Sequence, residues 1–237
     1  SGNYIGTDAG GTADLGNTWD GVRIWSGAQN NTVGGDTPGE RNLISGNDYN
    51  GVYICGSGTM SNTICGNYIG TANLGNGHHG VSISGGAQNN TVGPGNVVAH
   101  NGWHGVSVGG GSTIGNVITQ NSIFSNTMGI DLQGANGNIT APAIVATTPG
   151  SVKVIGSACP GCTVEVFTNG DTDGEGQTYI GSAIASLGGD FTVTVGSLGD
   201  PYLTATATDV ISGTSEFSAV FTSTVRCIYL PLVLRNS

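Results

Sequence analysis

The chain has 237 residues; 44 are Gly, and its 5 basic and 15 acidic side chains leave a net charge of −10. With two Arg and no Lys in the first 137 residues it lacks the basic footprint that a phosphate backbone requires, so no nucleic-acid partner is expected. A charged fraction of 8% with recurring Thr, Val and Ile argues against disorder, and no run reaches the roughly 20 apolar residues that cross a bilayer.

Composition changes along the chain. Gly and Asn dominate residues 1–137, Thr, Val and Ala are denser in 138–225, and 226–237 form an apolar tail. The first region is internally repeated. GNYIGT stands at 2–7 and 66–71, and GAQNNTVG at 27–34 and 86–93. A finer unit runs through both: Asn-x-Val/Ile, a second Asn-x-Val/Ile, then Gly followed by two alternating apolar residues. A partial copy (NYI3–5, GVRI21–24) precedes NTV31–33, NLI42–44 and GVYI51–54, then NTI62–64, NYI67–69 and GVSI80–83. NTV90–92, NVV96–98 and GVSV105–108 follow, then NVI116–118, NSI121–123 and GIDL129–132.

Alternate residues of each short element share a face, so Val22 with Ile24, Val52 with Ile54 and Val81 with Ile83 point one way. Three such elements per copy predict a three-sided coil. Stacked coils bury one continuous core with parallel strands about 4.8 Å apart. The predicted fold is all-β: a right-handed parallel β-helix over 1–137, its hand expected from the chirality of crossover connections, with a β-sandwich after it. The Asn that opens each element points inward and needs partners, which predicts one amide ladder through Asn3, Asn42, Asn67, Asn96 and Asn121 and another through Asn31, Asn62, Asn90 and Asn116. The Gly before each Val is expected to give the corner a positive φ.

The runs GNYIGT, GAQNNTVGG, RNLISGN and NGVYICGSGT resemble the repeat arrays of secreted bacterial right-handed β-helix proteins. That resemblance implies a fold and leaves function open, because lyases, hydrolases, adhesins and passive surface proteins share the architecture. In 138–225, TVEVFTNGDTDGEGQTYIGS with YLTATATDVISGTSEFSAVF resembles the immunoglobulin-like modules of bacterial surface proteins. The tail CIYLPLVLRNS resembles the YLPLVL-type tails of Chloroflexota-type surface proteins. These resemblances imply a secreted or cell-surface chain. Ser1 is not followed by a basic and apolar leader, which reads as a processed form.

Candidate sites follow from the register. The residues two before each Gly-Val corner put Trp19, Tyr49, His78 and Trp103 on one edge of the helix, one per coil, with His79 and His104 adjacent. Such an edge can support a polysaccharide, lie at the centre of a subunit contact, or protect the corner as an internal stack. Among the acids, Asp36 and Glu40 share a loop with Arg41 and suit a surface ion pair, while Asp131 stands alone in the last coil. The rest scatter and the array holds no Lys, so no catalytic residues and no cofactor are expected. Asp171, Asp173 and Glu175 are a weak Ca²⁺ candidate in a Gly-rich turn. Of the five Cys, Cys55 with Cys65 and Cys159 with Cys162 are disulfide candidates, leaving Cys227 over.

The sequence opens inside a coil, at NYI3–5, so either the chain is a fragment or another molecule is expected to complete the first rung. The strand-like tail offers Ile228, Tyr229, Leu230, Leu232, Val233 and Leu234 as the segment that pairs with Asn3, Tyr4 and Ile5 of the next subunit. The expected function is therefore a non-enzymatic subunit of an extracellular filament or layer assembled head to tail. The alternatives are a carbohydrate-binding adhesin using the aromatic edge and, third, a polysaccharide-degrading enzyme.

Overall fold

A computed structural model describes residues 2–71, 73–148 and 152–224. The tail from Cys227 onward, with its six expected contact residues, lies outside the described residues. β1 (Tyr4–Ile5), β2 (Val22–Ile24) and β3 (Thr32–Gly34) form the first rung of a solenoid, and β4 (Leu43–Ile44), β5 (Val52–Cys55) and β6 (Thr63–Cys65) the second. The third is β7 (Tyr68–Ile69), β8 (Val81–Ser84) and β9 (Thr91–Val92), and the fourth β10 (Val97–Ala99), β11 (His104–Gly109) and β12 (Val117–Ile118). β13 (Ser122–Phe124) and β14 (Met128–Gln133) begin a fifth.

These strands make three parallel sheets, β1-β4-β7-β10-β13, β2-β5-β8-β11-β14 and β3-β6-β9-β12. Register follows the repeat: Val52 pairs with Val81 and Val81 with Val106, one rung to the next. Inside lies one core of Ile44, Val52, Ile54, Ile64, Ile69, Val81, Ile83, Val92, Val98, Val106 and Val108, all fully buried. The three-sided parallel solenoid expected from the alternation is thus present.

The corner glycines have a different cause from the one expected. Gly51 and Gly80 do not adopt positive φ. They are small because rungs approach closely there: a Cβ on Gly51 would lie 2.7 Å from the Gly80 carbonyl oxygen and 2.6 Å from Ile69 Cγ2. Positive φ belongs to another corner, as at Gly70 (φ 89°), where a Cβ would also strike the Ala99 carbonyl.

Both expected amide ladders form. Asn42 donates through its backbone N and Nδ2 to Asn67 Oδ1 at 3.3 and 2.8 Å, and Asn67 does the same to Asn96 Oδ1 at 2.9 and 3.1 Å. The second runs from Asn31 through Asn62 and Asn90 to Asn116 and on to Asn136. A third, which the repeat reading missed, joins Asn17, Asn47, Asn76, Asn101 and Asn126. Its signal was in the sequence: Asn stands four residues before the corner glycines 21, 51, 80 and 105. Buried amides of this kind remain only because every step satisfies donors that would otherwise be stranded.

After the short 3₁₀ turn 136–138 the chain enters a second β unit with its own core, including Val154, Val164, Val166, Phe191, Val193, Leu203 and Ala205. Its strands are β15 (Ala143–Thr148), β16 (Val152–Ser157), β17 (Thr163–Asn169), β18 (Thr178–Ile184), β19 (Asp190–Val195), β20 (Tyr202–Asp209), β21 (Gly213–Thr214) and β22 (Phe221–Thr222). They form two antiparallel sheets, β15-β16-β19 and β18-β17-β20-β21, with β22 also on β20.

Cys159 and Cys162 are joined by a disulfide, whereas Cys55 and Cys65 carry free thiols. The expected Cys55–Cys65 bridge is absent because the two strands belong to different sheets: Cys55 faces Ser84 in register, and Cys65 faces Gly34.

Candidate functional site

The aromatic edge forms as the register requires. Backbone bonds from Tyr49 N to Trp19 O, His78 N to Tyr49 O and Trp103 N to His78 O hold one ring per rung. Tyr49 and His78 stack at 4.2 Å and 12°, and His78 and Trp103 at 4.9 Å and 15°, while Trp19 tilts by 42° at 5.4 Å. The interior rings stack on their neighbours, and exposure along the edge is 62% at Trp19, 41% at Tyr49 and 51% at Trp103.

Beside this stack runs a fourth polar column of opposite sense. Asn50 N and Nδ2 donate to Asp20 Oδ1, His79 N to Asn50 Oδ1, and His104 N to His79 Nδ1. Burial, then the neighbouring His104 and His78, lower the His79 pKa to about 4, so at neutral pH its ring is uncharged and Nδ1 is free to accept. Arg23 closes the column at 2.8 Å from Asp20. The isolated Asp131 of the sequence reading lies 3.4 Å from His104 Nε2 and accepts from Gln133.

The expected ion pair of Arg41 with Asp36 and Glu40 does not form. Glu40 turns back to accept from the Thr37 hydroxyl and backbone N, which lowers its pKa. Arg41 instead donates to Tyr68 OH and the Gly66 carbonyl, its guanidinium 4.4 Å from the Tyr68 ring centroid. Asp8 and Asp14 likewise accept backbone N–H groups of their own turns.

The first and last described rungs differ. The three Asn ladders all donate from lower rung to higher, so Asn3, Asn17 and Asn31 end them as Oδ1 acceptors on the first rung. β1, β2 and β3 each pair with one strand among the described residues. At the other end the donors meet the second unit. Glu175 takes Asn126 N at 3.0 Å and Asn126 Nδ2 at 3.0 Å; Glu165 takes the Thr119 hydroxyl and Gln120 N; Glu216 takes Leu132 N at 2.9 Å. Gly176 exchanges two backbone bonds with Ile123 on β13, and Thr214 reaches Asn116 O and Ile118 N beside β12. The Phe217 ring stands 2.6 Å from where a Gly129 Cβ would sit and packs on the solenoid core.

Composition did not reveal this closure. The Ca²⁺ candidates fare accordingly. Asp171 and Asp173 accept N–H bonds within their turn, and Glu175 directs its carboxylate onto Asn126. Among the described residues no group of three His, Cys, Asp or Glu is placed to hold a metal ion, and no helix is long and apolar enough to cross a membrane. No protein-family model matches this sequence, and no curated protein matches it.

Proposed function

We propose that this chain is a non-enzymatic structural protein of the cell exterior, a right-handed solenoid rod followed by an immunoglobulin-like sandwich, that self-associates through its first rung into a filament or layer. One observation carries this reading: every rung stacks on the next through three parallel sheets and three amide ladders, a pattern that a rung of a second copy can continue. Strand edges recruit further strands, and heterologous contacts that do not close a ring give open fibres. Asp8, Asp14, Glu40 and Arg41 support the reading, because their polar atoms are taken up by the solenoid's own turns and corners.

Placing Lys at both Val22 and Val33, partly buried on the first rung, should leave the circular dichroism spectrum unchanged and convert assemblies into monomers in sedimentation velocity. Wild-type protein that stays monomeric at every concentration tried, or assemblies indifferent to these charges, would overturn the proposal.

The exposure of Trp19 and Trp103 favours a second reading, glycan binding at the ends of the ring stack. Trp19→Ala with Trp103→Ala should lower retention on a glycan array at least about tenfold if each ring contributes about 1 kcal/mol. A wild-type protein that binds no glycan on the array removes this reading.

A further inference from the structure

The Cys159–Cys162 disulfide closes a turn that its backbone already holds. Cys162 N donates to Cys159 O across Pro-Gly, and the flanks are fixed by Ala158 N to Gly189 O, Gly161 N to Ala185 O and Ala185 N to Cys162 O. A bond across so few residues also removes little chain entropy from the unfolded state. Its two sulfurs differ in access. Cys162 is 1% exposed, whereas half-buried Cys159 lines a cavity of about 580 Å³ where the segment after the solenoid, the end of β16 and the β20–β21 turn meet. Ile139, Ala141, Ala143 and Ala158 give this cavity small apolar walls, and Asp209 adds a carboxylate. Asp209 Oδ1 accepts the N–H groups of Ile211 and Ser212, and among the described residues no Lys or Arg pairs with it.

The last segment of the same chain suits this cavity in reach, charge and chemistry. Ser223 N donates to Pro201 O and Ser223 Oγ lies 2.9 Å from Thr147 Oγ1, so the described chain leaves beside the end of β15. From Thr147, β15 leads back to Ala143 at the cavity, a span of four residues or about 13 Å at strand rise. Four residues beyond Ser223, outside the described residues, stands Cys227, with Arg226 before it and Ile228 and Leu230 after it. From this placement we infer that the cavity is a thiol-exchange site and that Cys227 of the same chain is its attacking thiol. Cys227 gives its proton to water and attacks Cys159 Sγ; the Cys159–Cys227 bond forms as the Cys159–Cys162 bond breaks, and Cys162 leaves as a thiolate that takes up a proton. One disulfide replaces another, so no oxidant or reductant is consumed. Arg226 then meets the Asp209 carboxylate, and Ile228 and Leu230 fill the apolar walls. A staple within one turn becomes a tie between residues 159 and 227, which restricts the unfolded chain far more.

The test uses full-length protein kept at pH 4, moved to pH 8, quenched with acid, alkylated with N-ethylmaleimide and digested for mass spectrometry. The Cys159–Cys227 peptide should appear with time, and N-ethylmaleimide should appear on Cys162 in the same proportion. At pH 6 the link should form at least about tenfold more slowly, because the thiolate carries the attack. With oxidised glutathione, Cys162→Ser should link Cys227 to Cys159 at least about tenfold faster than Cys159→Ser links it to Cys162. Equal rates, or a Cys162–Cys227 link in wild type, overturn Cys159 as the attacked sulfur. A Cys227 that remains open to alkylation throughout, or a link found only in disulfide-bonded dimers on non-reducing gels, overturns Cys227 of the same chain as the attacker. Both readouts concern a single chain and leave self-association to its own test.

Discussion

Asn67→Ala should lower the free energy of unfolding by about 3–5 kcal/mol, among the largest effects of any polar substitution in the chain. Asn67 is fully buried. Its Oδ1 accepts Asn42 N and Nδ2, and its Nδ2 reaches Asn96 Oδ1 and the carbonyls of Val33 and Cys65. Truncation strands both Asn42 donors and deprives three acceptors, in a site where each orphaned group costs about 1–3 kcal/mol. Asn31→Ala removes a comparable amide from the exposed end of its ladder and should cost about 1 kcal/mol. Denaturant unfolding of both variants checks the ratio. An Asn67→Ala protein within about 1 kcal/mol of wild type would show that the ladders do not carry the fold.

The docking of the C-terminal unit should weaken as pH rises from about 4.5 to about 7. Burial pushes the Glu175 carboxyl from its ordinary 4.5 up to about 7, against the lowering effect of the Asn126 bonds, with Asp173 beside it raising it further. Burial raises Glu165 in the same direction. A carboxyl whose folded pKa lies above its unfolded one binds its proton more tightly when docked. Its stabilising contribution is therefore complete below 4.5 and lost as pH rises through the folded value. A shift of that size corresponds to roughly 3 kcal/mol. The charged group facing Glu175 is Asp173 from its own turn; β20 offers only the Thr204 hydroxyl, to the Glu175 carbonyl, and the solenoid only the Asn126 amides.

Global melting would hide this effect. The lowered pKa of His79, about 4 against an ordinary 6.5, has the opposite sign: stability is lost as pH falls through that interval, because the ring must charge inside the column. The local readout is exchange of the Asn126 amide, expected to be slower at pH 5 than at pH 8, with the difference strongly reduced in Glu175→Gln. A pH-independent Asn126 amide in wild type, measured after correction for intrinsic exchange, would be the contrary result. His79→Asn, which can keep the column's acceptor, should remove the acid-side loss from the global curve.

How far the molecule could be read from its residues depends on whether a feature repeats. The rungs, their core and the ladder through Asn3 and Asn121 were legible because each position recurs with its chemistry intact, so register alone places it. The ring stack was legible for the same reason. The third ladder was overlooked although it obeys the same rule, because Asn17, Asn47 and Asn76 are embedded in loops of varying composition. The closure of the last rung by the second unit was not legible. Glu165, Glu175, Glu216 and Phe217 occur once each in this role, far from the rung they touch, and only folding brings them there. Glu175 was misread as part of a Ca²⁺ turn because Asp171 and Asp173 at alternate positions outweigh a buried partner 49 residues away. Cys55 and Cys65 show the limit of sequence proximity: nearness along the chain says little when each strand faces another side of a triangle.

The interior rungs make equivalent bonds above and below, so a further rung inserted between two of them would leave both ends of the molecule unaltered. Length can thus grow by duplication in whole steps of about 4.8 Å, and the verbatim copies of GNYIGT and GAQNNTVG are what such growth leaves behind. A rod of this design is a ruler that evolution can extend by copying its own gradations.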